Sequence, residues 1–216
     1  MMRSSLVAAL LGVLAYGVAL AQRADPASDA PEQKVVIAAP LREASTYAAS
    51  LAMWRSAEDV NDWVGARFEY DLQRALRLSE TQRDRSGPLP IPAPEAFFRA
   101  PRGVCVDLSR FAVETLRTID PASKPAYVMI EFAPVTIAGN TLRRHWLATF
   151  EREGRHYFFA DSKRPGYLAG PYGSVGEFIA DYAAYRGREV IAFRVVDTHE
   201  RRTRTMAAKQ SRPDMP

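Results

Sequence analysis

The chain contains a single cysteine, Cys105, at a position where a thiol could act as a nucleophile. It follows a Gly/Pro-rich stretch and precedes apolar residues spaced by three and four, a pattern that predicts the buried face of a helix. These apolar residues are Leu108, Phe111, Ala112, Leu116 and Ile119. A thiol in the first turn of a helix feels the positive end of the helix dipole, which favours thiolate over thiol. The position therefore indicates a sulfur nucleophile, although a free cysteine is often just a small buried apolar residue.

A predicted hairpin downstream of the cysteine carries a base and an acid. Residues 145–151 and 155–161 read as two strands, and a three-residue loop, 152–154, ends in the glycine that its left-handed last position favours. In that register His145 lies directly opposite Asp161, whereas a two-residue loop would put the two side chains on opposite faces. We therefore predict the longer loop, with Asp161 orienting His145.

The same register makes Glu151 and Arg155 the closing pair of the hairpin, a favourable cross-strand pair of opposite charges. His156 then falls on the other face near the turn, and we predict that it is structural or exposed. His199 lies near the end of the chain, and no role is predicted for it.

Together, Cys105, His145 and Asp161 have the residue types of a nucleophile, a general base and an orienting acid. In such a triad the thiol attacks a carbonyl carbon, the histidine takes the thiol proton and returns it to the leaving amine, and the acid holds the histidine. The backbone N–H of Cys105 is a candidate oxyanion donor. A second donor is expected from upstream of the cysteine, and the sequence does not identify it.

The elements that must position these residues form one predicted domain, residues 44–197, after a polar, Ala- and Pro-containing spacer, residues 22–43. Ser56 and Ser174 each precede an acid by three residues, which predicts two helix-opening capping boxes. A proline-rich stretch, residues 87–94, is predicted to be an extended wrap. Helices are predicted over 45–54, 56–68, 105–119 and 174–185, and strands over 126–132, 145–151, 155–161 and 189–197.

Residues 1–21 read as a signal peptide, because Arg3 precedes an apolar run that ends in a small-x-small cleavage site at Ala19-Leu20-Ala21. A membrane anchor is the alternative, which the glycines within the run and the cleavage site disfavour. We therefore expect a periplasmic or secreted protein with no membrane anchor after cleavage. An exported protein with one thiol either cross-links to a partner through it or keeps it for chemistry.

The net charge of +4 does not predict a nucleic-acid partner. Arg3 and a basic tail, residues 198–216, which is predicted to be disordered, carry the whole excess, so the charges of residues 22–197 balance. A nucleic-acid surface needs a basic patch on the folded domain itself. The composition thus excludes that class of function for the domain.

The chain resembles the transglutaminase-like superfamily, relatives of the papain-like cysteine peptidases. The resemblance rests on Gly103-Val104-Cys105-Val106-Asp107 with its following helix, on His145-Trp146, and on Tyr157-Phe158-Phe159-Ala160-Asp161, and it spans about residues 57–165. It implies an α+β fold in which the cysteine-bearing helix packs on an antiparallel sheet of about four strands with flanking helices. It also implies that the catalytic cysteine, histidine and aspartate are Cys105, His145 and Asp161.

Two features depart from the family pattern. His-Ala-Trp and Asp-Pro-Thr are common in members where this chain has His145-Trp146-Leu147 and Asp161-Ser162-Lys163. The calcium-binding periplasmic members carry Cys-Glu-Asp, and Val106 replaces that glutamate here. We therefore predict no metal and no cofactor, and we interpret Asp107 as a first-turn acid that stabilises the helix.

The expected activity is acyl transfer on an amide bond of a protein or peptide substrate, with a component of the cell envelope as one candidate. Hydrolysis is preferred, because water is the default acceptor, which would make the protein a cysteine peptidase. A transamidase (transglutaminase) with the same triad, a non-catalytic binding module of this fold, and an intermolecular disulfide through Cys105 remain open. The sequence does not determine the oligomeric state.

Overall fold

The computed structural model describes residues 28–32 and 40–200. The predicted signal peptide, residues 1–21, and the tail beyond Glu200 lie outside these residues. Within the described residues, no helix combines the length and the apolar character needed to cross a membrane.

The described chain forms seven α-helices and seven β-strands. The helices are α1 (Tyr47–Met53), α2 (Ala57–Arg67), α3 (Leu72–Arg77), α4 (Glu80–Ser86), α5 (Pro94–Arg99), α6 (Cys105–Ile119) and α7 (Val175–Arg186). The strands are β1 (Glu69–Tyr70), β2 (Arg102–Gly103), β3 (Ala126–Ile137), β4 (Asn140–Arg152), β5 (Arg155–Phe159), β6 (Ala169–Tyr172) and β7 (Val190–Val196). The four predicted helices and four predicted strands are present. β3 ends five residues later and β4 begins five residues earlier than predicted, whereas the other ends shift by about two residues.

The main sheet has five antiparallel strands in the order β6-β5-β4-β3-β7. The predicted α+β fold, with the cysteine-bearing helix against an antiparallel sheet, is confirmed, and the strand count is one higher than expected. The additional strand is β6, Ala169–Tyr172, for which no strand was predicted. β1 and β2 form a separate parallel pair that leads directly into α6.

The sheet separates two apolar layers. On one face α6 packs against the sheet and against the N-terminal helices, where Trp63 stacks on Phe98 at 4.9 Å and contacts Phe111 at 4.7 Å between ring centroids. On the other face α7 covers the strands, with Phe178 stacked on Phe158 at 3.7 Å. The two faces follow from strand alternation, since successive residues of a strand point to opposite sides.

The predicted register of the β4–β5 hairpin is wrong. Arg152 pairs with Arg155, and the loop is the two residues Glu153 and Gly154, with φ of 52° and 72°. Two consecutive left-handed residues form the type I′ turn, whose twist matches that of the strands. The like-charged closing pair is tolerated because Arg152 binds Glu58 through both of its terminal nitrogens, at 2.8 and 2.9 Å.

The two predicted capping boxes have different outcomes. Ser174 accepts a hydrogen bond from the backbone N–H of Glu177 at 3.2 Å, so the cap of α7 is confirmed. Ser56 does precede α2, but its side chain caps nothing, and Asp59 accepts from the N–H of Arg55 instead, at 2.8 Å.

Candidate active site

Cys105 is the first residue of α6, and its position is held by a buried acid one turn into the helix. Asp107 is fully buried, accepts the backbone N–H of Val104 at 2.9 Å, and binds Arg74 through Nε and NH2 at 2.6 and 2.7 Å. The carboxylate thus forms the acidic half of a capping box, and valine has no side-chain acceptor to form the other half. Asp107 therefore stabilises the helix N-terminus, as interpreted from the sequence, and also ties it to α3.

Gly103 makes this arrangement possible, because a side chain at that position would have no room. An added Cβ would lie 2.6 Å from Oδ2 of Asp107 and 2.9 Å from its Cβ. Gly103 also pairs with Tyr70 of β1, which brings Tyr70 beside the start of α6. The Gly-Val-Cys-Val-Asp motif is thus a unit in which the glycine admits the acid that fixes the helix.

His145 and Asp161 are in contact, although the predicted register is wrong. Nε2 of His145 lies 3.1 Å from Oδ1 of Asp161, and both side chains are buried. β5 ends at Phe159, and Ala160 has a φ of 58°, so the chain leaves the strand before Asp161. This left-handed residue breaks the alternation that would otherwise have put Asp161 on the opposite face of the sheet.

Tyr182 of α7 is a third member of this cluster, which the sequence analysis missed. Its hydroxyl lies 3.0 Å from Nε2 of His145 and donates to Oδ1 of Asp161 at 3.0 Å, and its ring stacks on the imidazole. Arg186, one turn later, donates to the same hydroxyl at 3.1 Å. In the sequence, this pair is only a Tyr and an Arg four residues apart in a well-capped helix. Such a pair is equally typical of ordinary core and surface positions, so the sequence does not identify it as part of a site.

Asp29 also enters the site, from the segment predicted to be a spacer. Its Oδ2 lies 3.2 Å from Nδ1 of His145, and its Oδ1 is 2.7 Å from a terminal nitrogen of Arg186. Sγ of Cys105, a ring nitrogen of His145 and a carboxylate oxygen of Asp29 all lie within 4.8 Å of one another. No feature of the sequence around Asp29 predicts this contact, because the segment is polar and has no periodicity.

The charges of these groups determine their protonation. Burial alone would lower the pKa of His145, but Asp29 and Asp161 hold it well above its ordinary range. Burial opposes ionisation of Asp161 and Asp29 as well, but the charge of His145 and its hydrogen bonds keep both carboxyl pKa values below normal. The imidazolium is therefore stabilised between two carboxylates.

Several groups act on the thiol besides the helix dipole. Burial raises the pKa of Cys105 and the charge of Asp29 raises it further, against the lowering effect of His145. Burial and Asp29 thus oppose the thiolate that the helix dipole favours. Asp29 takes the place of the thiolate as the anion beside the imidazolium.

A groove of about 1060 Å³ opens at Cys105 and is lined in part by Asp29, Tyr70, Trp146 and His199. Tyr70 lies upstream of the cysteine, where a second oxyanion donor was expected. His199, for which no role was predicted, lines this groove and packs on Tyr127 at 5.7 Å between ring centroids. The groove also has five arginines in its walls, Arg83, Arg110, Arg143, Arg144 and Arg188, against three acids other than Asp29.

Asp29, Cys105 and His145 are also the donors that a zinc ion prefers. Asp161 on the far nitrogen of the imidazole resembles the outer carboxylate of many metal-bound histidines. However, the Arg186 guanidinium already bonds to the Asp29 carboxylate and disfavours a second cation beside it. The ion pairs of Asp29 with His145 and Arg186 are sufficient to explain the positions of these side chains.

The sequence matches no family model and no curated protein. Functional inference therefore depends on the geometry of the site. That geometry brings all three predicted residues, Cys105, His145 and Asp161, into one buried cluster at the N-terminus of α6.

Proposed function

We propose that the protein is an exported cysteine-dependent acyl-transfer enzyme with a papain- or transglutaminase-like core, acting as a cysteine peptidase on amide bonds of a protein or peptide. One observation carries the proposal: the two nitrogens of His145 have separate roles. Nε2 is engaged by Asp161 and Tyr182, and Nδ1, which lies 3.2 Å from Oδ2 of Asp29, is the nitrogen available to the neighbouring thiol and to the leaving amine. A Cys-His-Asp triad requires that one ring nitrogen binds the acid and the other faces the nucleophile.

In the proposed reaction the thiol of Cys105 loses its proton to solvent, and the thiolate, paired with the His145 imidazolium, forms a bond to the carbonyl carbon of the substrate amide. The imidazolium then donates its proton to the nitrogen of the leaving amine as the C–N bond breaks. In the second half, His145, now neutral, removes a proton from water, whose oxygen attacks the thioester. The C–S bond then breaks, the carboxylic acid leaves, and the sulfur is regenerated beside the imidazolium. Asp161 remains ionised and stabilises the imidazolium.

Two donors are proposed for the negative charge on the carbonyl oxygen. The backbone N–H of Cys105 is at the first position of a helix, where amide groups have no acceptor within the helix. The hydroxyl of Tyr70 is the second proposed donor, since Tyr70 lines the groove at Cys105 and pairs with Gly103 two residues before it. Donors in such positions typically contribute about a hundredfold to a thousandfold in rate.

A non-catalytic binding module is the second candidate, favoured by the buried thiol and its raised pKa. In that case the groove would hold a partner and His145 would have only a structural role. A transamidase would use the same residues. It would differ from a peptidase only in that an amine, instead of water, accepts the acyl group.

The test is the rate of Cys105 alkylation by iodoacetamide between pH 5 and 10, in the intact protein and in His145→Ala. A base-activated thiol predicts that the substitution slows alkylation at pH 7 about tenfold or more, because positioned bases contribute at least that factor. His156→Ala is the matched control, since His156 lies on β5 near the turn and away from the thiol. Equal rates in all three proteins would exclude the triad and support the binding module.

Turnover is measured in parallel with a library of fluorogenic peptides, using Cys105→Ala as the inactive reference. Cleavage that requires Cys105 supports a peptidase. Incorporation of a labelled amine in place of hydrolysis would instead assign transamidation.

A further inference from the structure

We propose that the domain has a binding site for an acidic peptide segment, built by Arg186 and Lys163 next to the groove at Cys105, and that residues 28–32 occupy it as an intramolecular ligand that restrains the thiol. The inference rests on the proposed function in naming the substrate class, which is peptides with acidic side chains. Residues 28–32 lie beyond the predicted cleavage after Ala21, so they would remain in the exported protein.

Arg186 forms the first half of this site. Its side chain is fully buried, with its guanidinium over the ring of Phe132 and one nitrogen bonded to Tyr182. The other terminal nitrogen binds Oδ1 of Asp29 at 2.7 Å and lies 3.4 Å from the carbonyl oxygen of Ser28. A buried cation needs an anionic partner, because desolvation of an unpaired charge is costly.

Lys163 forms the second half. It is 1% exposed, and its Nζ lies 3.1 Å from Oε1 of Glu32. The backbone N–H of Glu32 donates to the carbonyl oxygen of Lys163 at 3.0 Å, and the hydroxyl of Tyr185 donates to Oε2 of Glu32 at 2.6 Å. The site therefore contacts the backbone as well as two carboxylates, which is how an extended peptide is recognised.

The exposure of the partners distinguishes the site from its occupant. The cations are buried within the domain, whereas the side chains of Asp29 and Glu32 are 18% and 36% exposed. The acids come from a short segment with no helix or strand, while the cations lie at the end of α7 and in the loop after β5. An acidic residue of another peptide could thus replace each carboxylate without any change in the domain.

The same contact explains how the segment would restrain the thiol. Asp29 lies between Arg186 and His145 and places a negative charge within 4.8 Å of Sγ. That charge stabilises the imidazolium and opposes formation of the thiolate. Departure of the segment leaves Cys105 as the natural counter-anion of His145 and opens the position beside the sulfur to a substrate.

The first experiment compares Asp29→Asn with wild type and with Glu95→Gln, an exposed acid on α5. The pH profile of iodoacetamide alkylation is measured with a chelator present, so that stray zinc on the thiol does not affect the rate. Asp29→Asn is expected to be alkylated at least about fivefold faster than wild type at pH 6–7, and the midpoint of its pH profile is expected at lower pH. Glu95→Gln is expected to match wild type. A rate for Asp29→Asn equal to that of wild type overturns the proposed restraint.

The second experiment measures binding without catalysis. Asp29→Asn, Glu32→Gln and Cys105→Ala are combined in one chain, which is titrated with a fluorescent peptide of the sequence of residues 28–32 and with the same peptide carrying Asn and Gln in place of its acids. The acidic peptide is expected to bind at least about tenfold more tightly, with an affinity that falls as salt rises, because charged hydrogen bonds and ion pairs carry the contact.

Lys163→Met in that chain is expected to reduce the preference for the acidic peptide, because only Arg186 then remains to bind a carboxylate. Folding is checked by circular dichroism. Should the variant fail to fold, the salt dependence in the parent chain decides the same question. Equal binding of the two peptides, or no binding of either, contradicts the acidic-peptide site.

The outcomes separate this inference from the proposed activity. Tight, salt-sensitive binding of the acidic peptide with no cleavage of any amide would refute the peptidase and retain the binding site. Cysteine-dependent cleavage with no preference for acidic peptides would retain the enzyme and refute the site.

Discussion

The N-terminus of α6, which carries Cys105, depends on one buried ion pair, and substitution of Asp107 by Asn tests that dependence. The carboxylate is fully buried and accepts from Arg74 twice and from the N–H of Val104 once. Asparagine keeps the shape, but it removes the negative charge and turns one acceptor into a donor that faces the guanidinium.

The expected cost is about 3 kcal/mol of unfolding free energy, the lower end of the range for breaking a buried pair, because Arg74 keeps 15% exposure and can reach water. For a domain of this size, this corresponds to a fall in Tm of about 6–12 °C. Glu114→Gln on the same helix removes a partly exposed i,i+4 pair with Arg110, for which we expect about 0.5 kcal/mol or less.

The assay is urea unfolding followed by tryptophan fluorescence, combined with a double-mutant cycle that adds Arg74→Met. If the pair acts as described, the double variant is less destabilised than the two single variants predict by addition. Gly103→Ala, whose Cβ would clash with the same side chain, should also be destabilised. A Tm for Asp107→Asn no lower than that of Glu114→Gln would refute the reasoning.

Three further predictions follow from the same cluster and its hairpin. Tyr70→Phe should lower kcat at least about tenfold with little change in KM, provided that Tyr70 stabilises the oxyanion, and an unchanged kcat would remove it from that role. The raised pKa of His145 contributes stability that is fully present below about pH 6.5 and is lost as the pH rises through the raised value. The lowered pKa of Asp161 contributes stability that is present above about pH 4 and is lost on acidification. Urea unfolding at pH 5, 7 and 9 should accordingly show a smaller alkaline loss in His145→Gln than in wild type, and parallel pH profiles would contradict this. Glu153→Asn should raise the unfolding free energy by about 0.5 kcal/mol, because asparagine tolerates the left-handed first position of the turn better than glutamate, and a lower Tm would argue against the two-residue loop.

The nucleophile helix was predictable because its signals are local. The glycine, the lone cysteine and the apolar spacing of α6 all lie within residues 103–119, and the helix begins and ends where they indicate. The cap at Ser174 is another local signal, and it positions Tyr182 and Arg186 without identifying them as site residues.

The pairing of His145 with Asp161 was predicted from a wrong register. The turn selected two residues instead of three because Glu153 accepts a left-handed conformation, and the contact is made by a second left-handed residue, Ala160. Neither conformation has a residue-type signal, since glutamate and alanine rarely adopt it. The agreement on the pair therefore came from residue types and approximate spacing, and not from the hairpin geometry.

By itself, the sequence indicated the main helices and strands, the cysteine at a helix N-terminus and the three residue types of the proposed triad, because these depend on short-range periodicity and composition. The α+β class followed from the resemblance. Only the tertiary structure determined which groups of the site carry charge and which segment of the chain lies against it. The pKa of Cys105 and the ion pair between Asp29 and Arg186 depend on burial and on groups up to 157 residues apart in the chain. Electrostatic energies in a low-dielectric interior are set by distances in space, and a distance between remote segments exists only once the chain has folded.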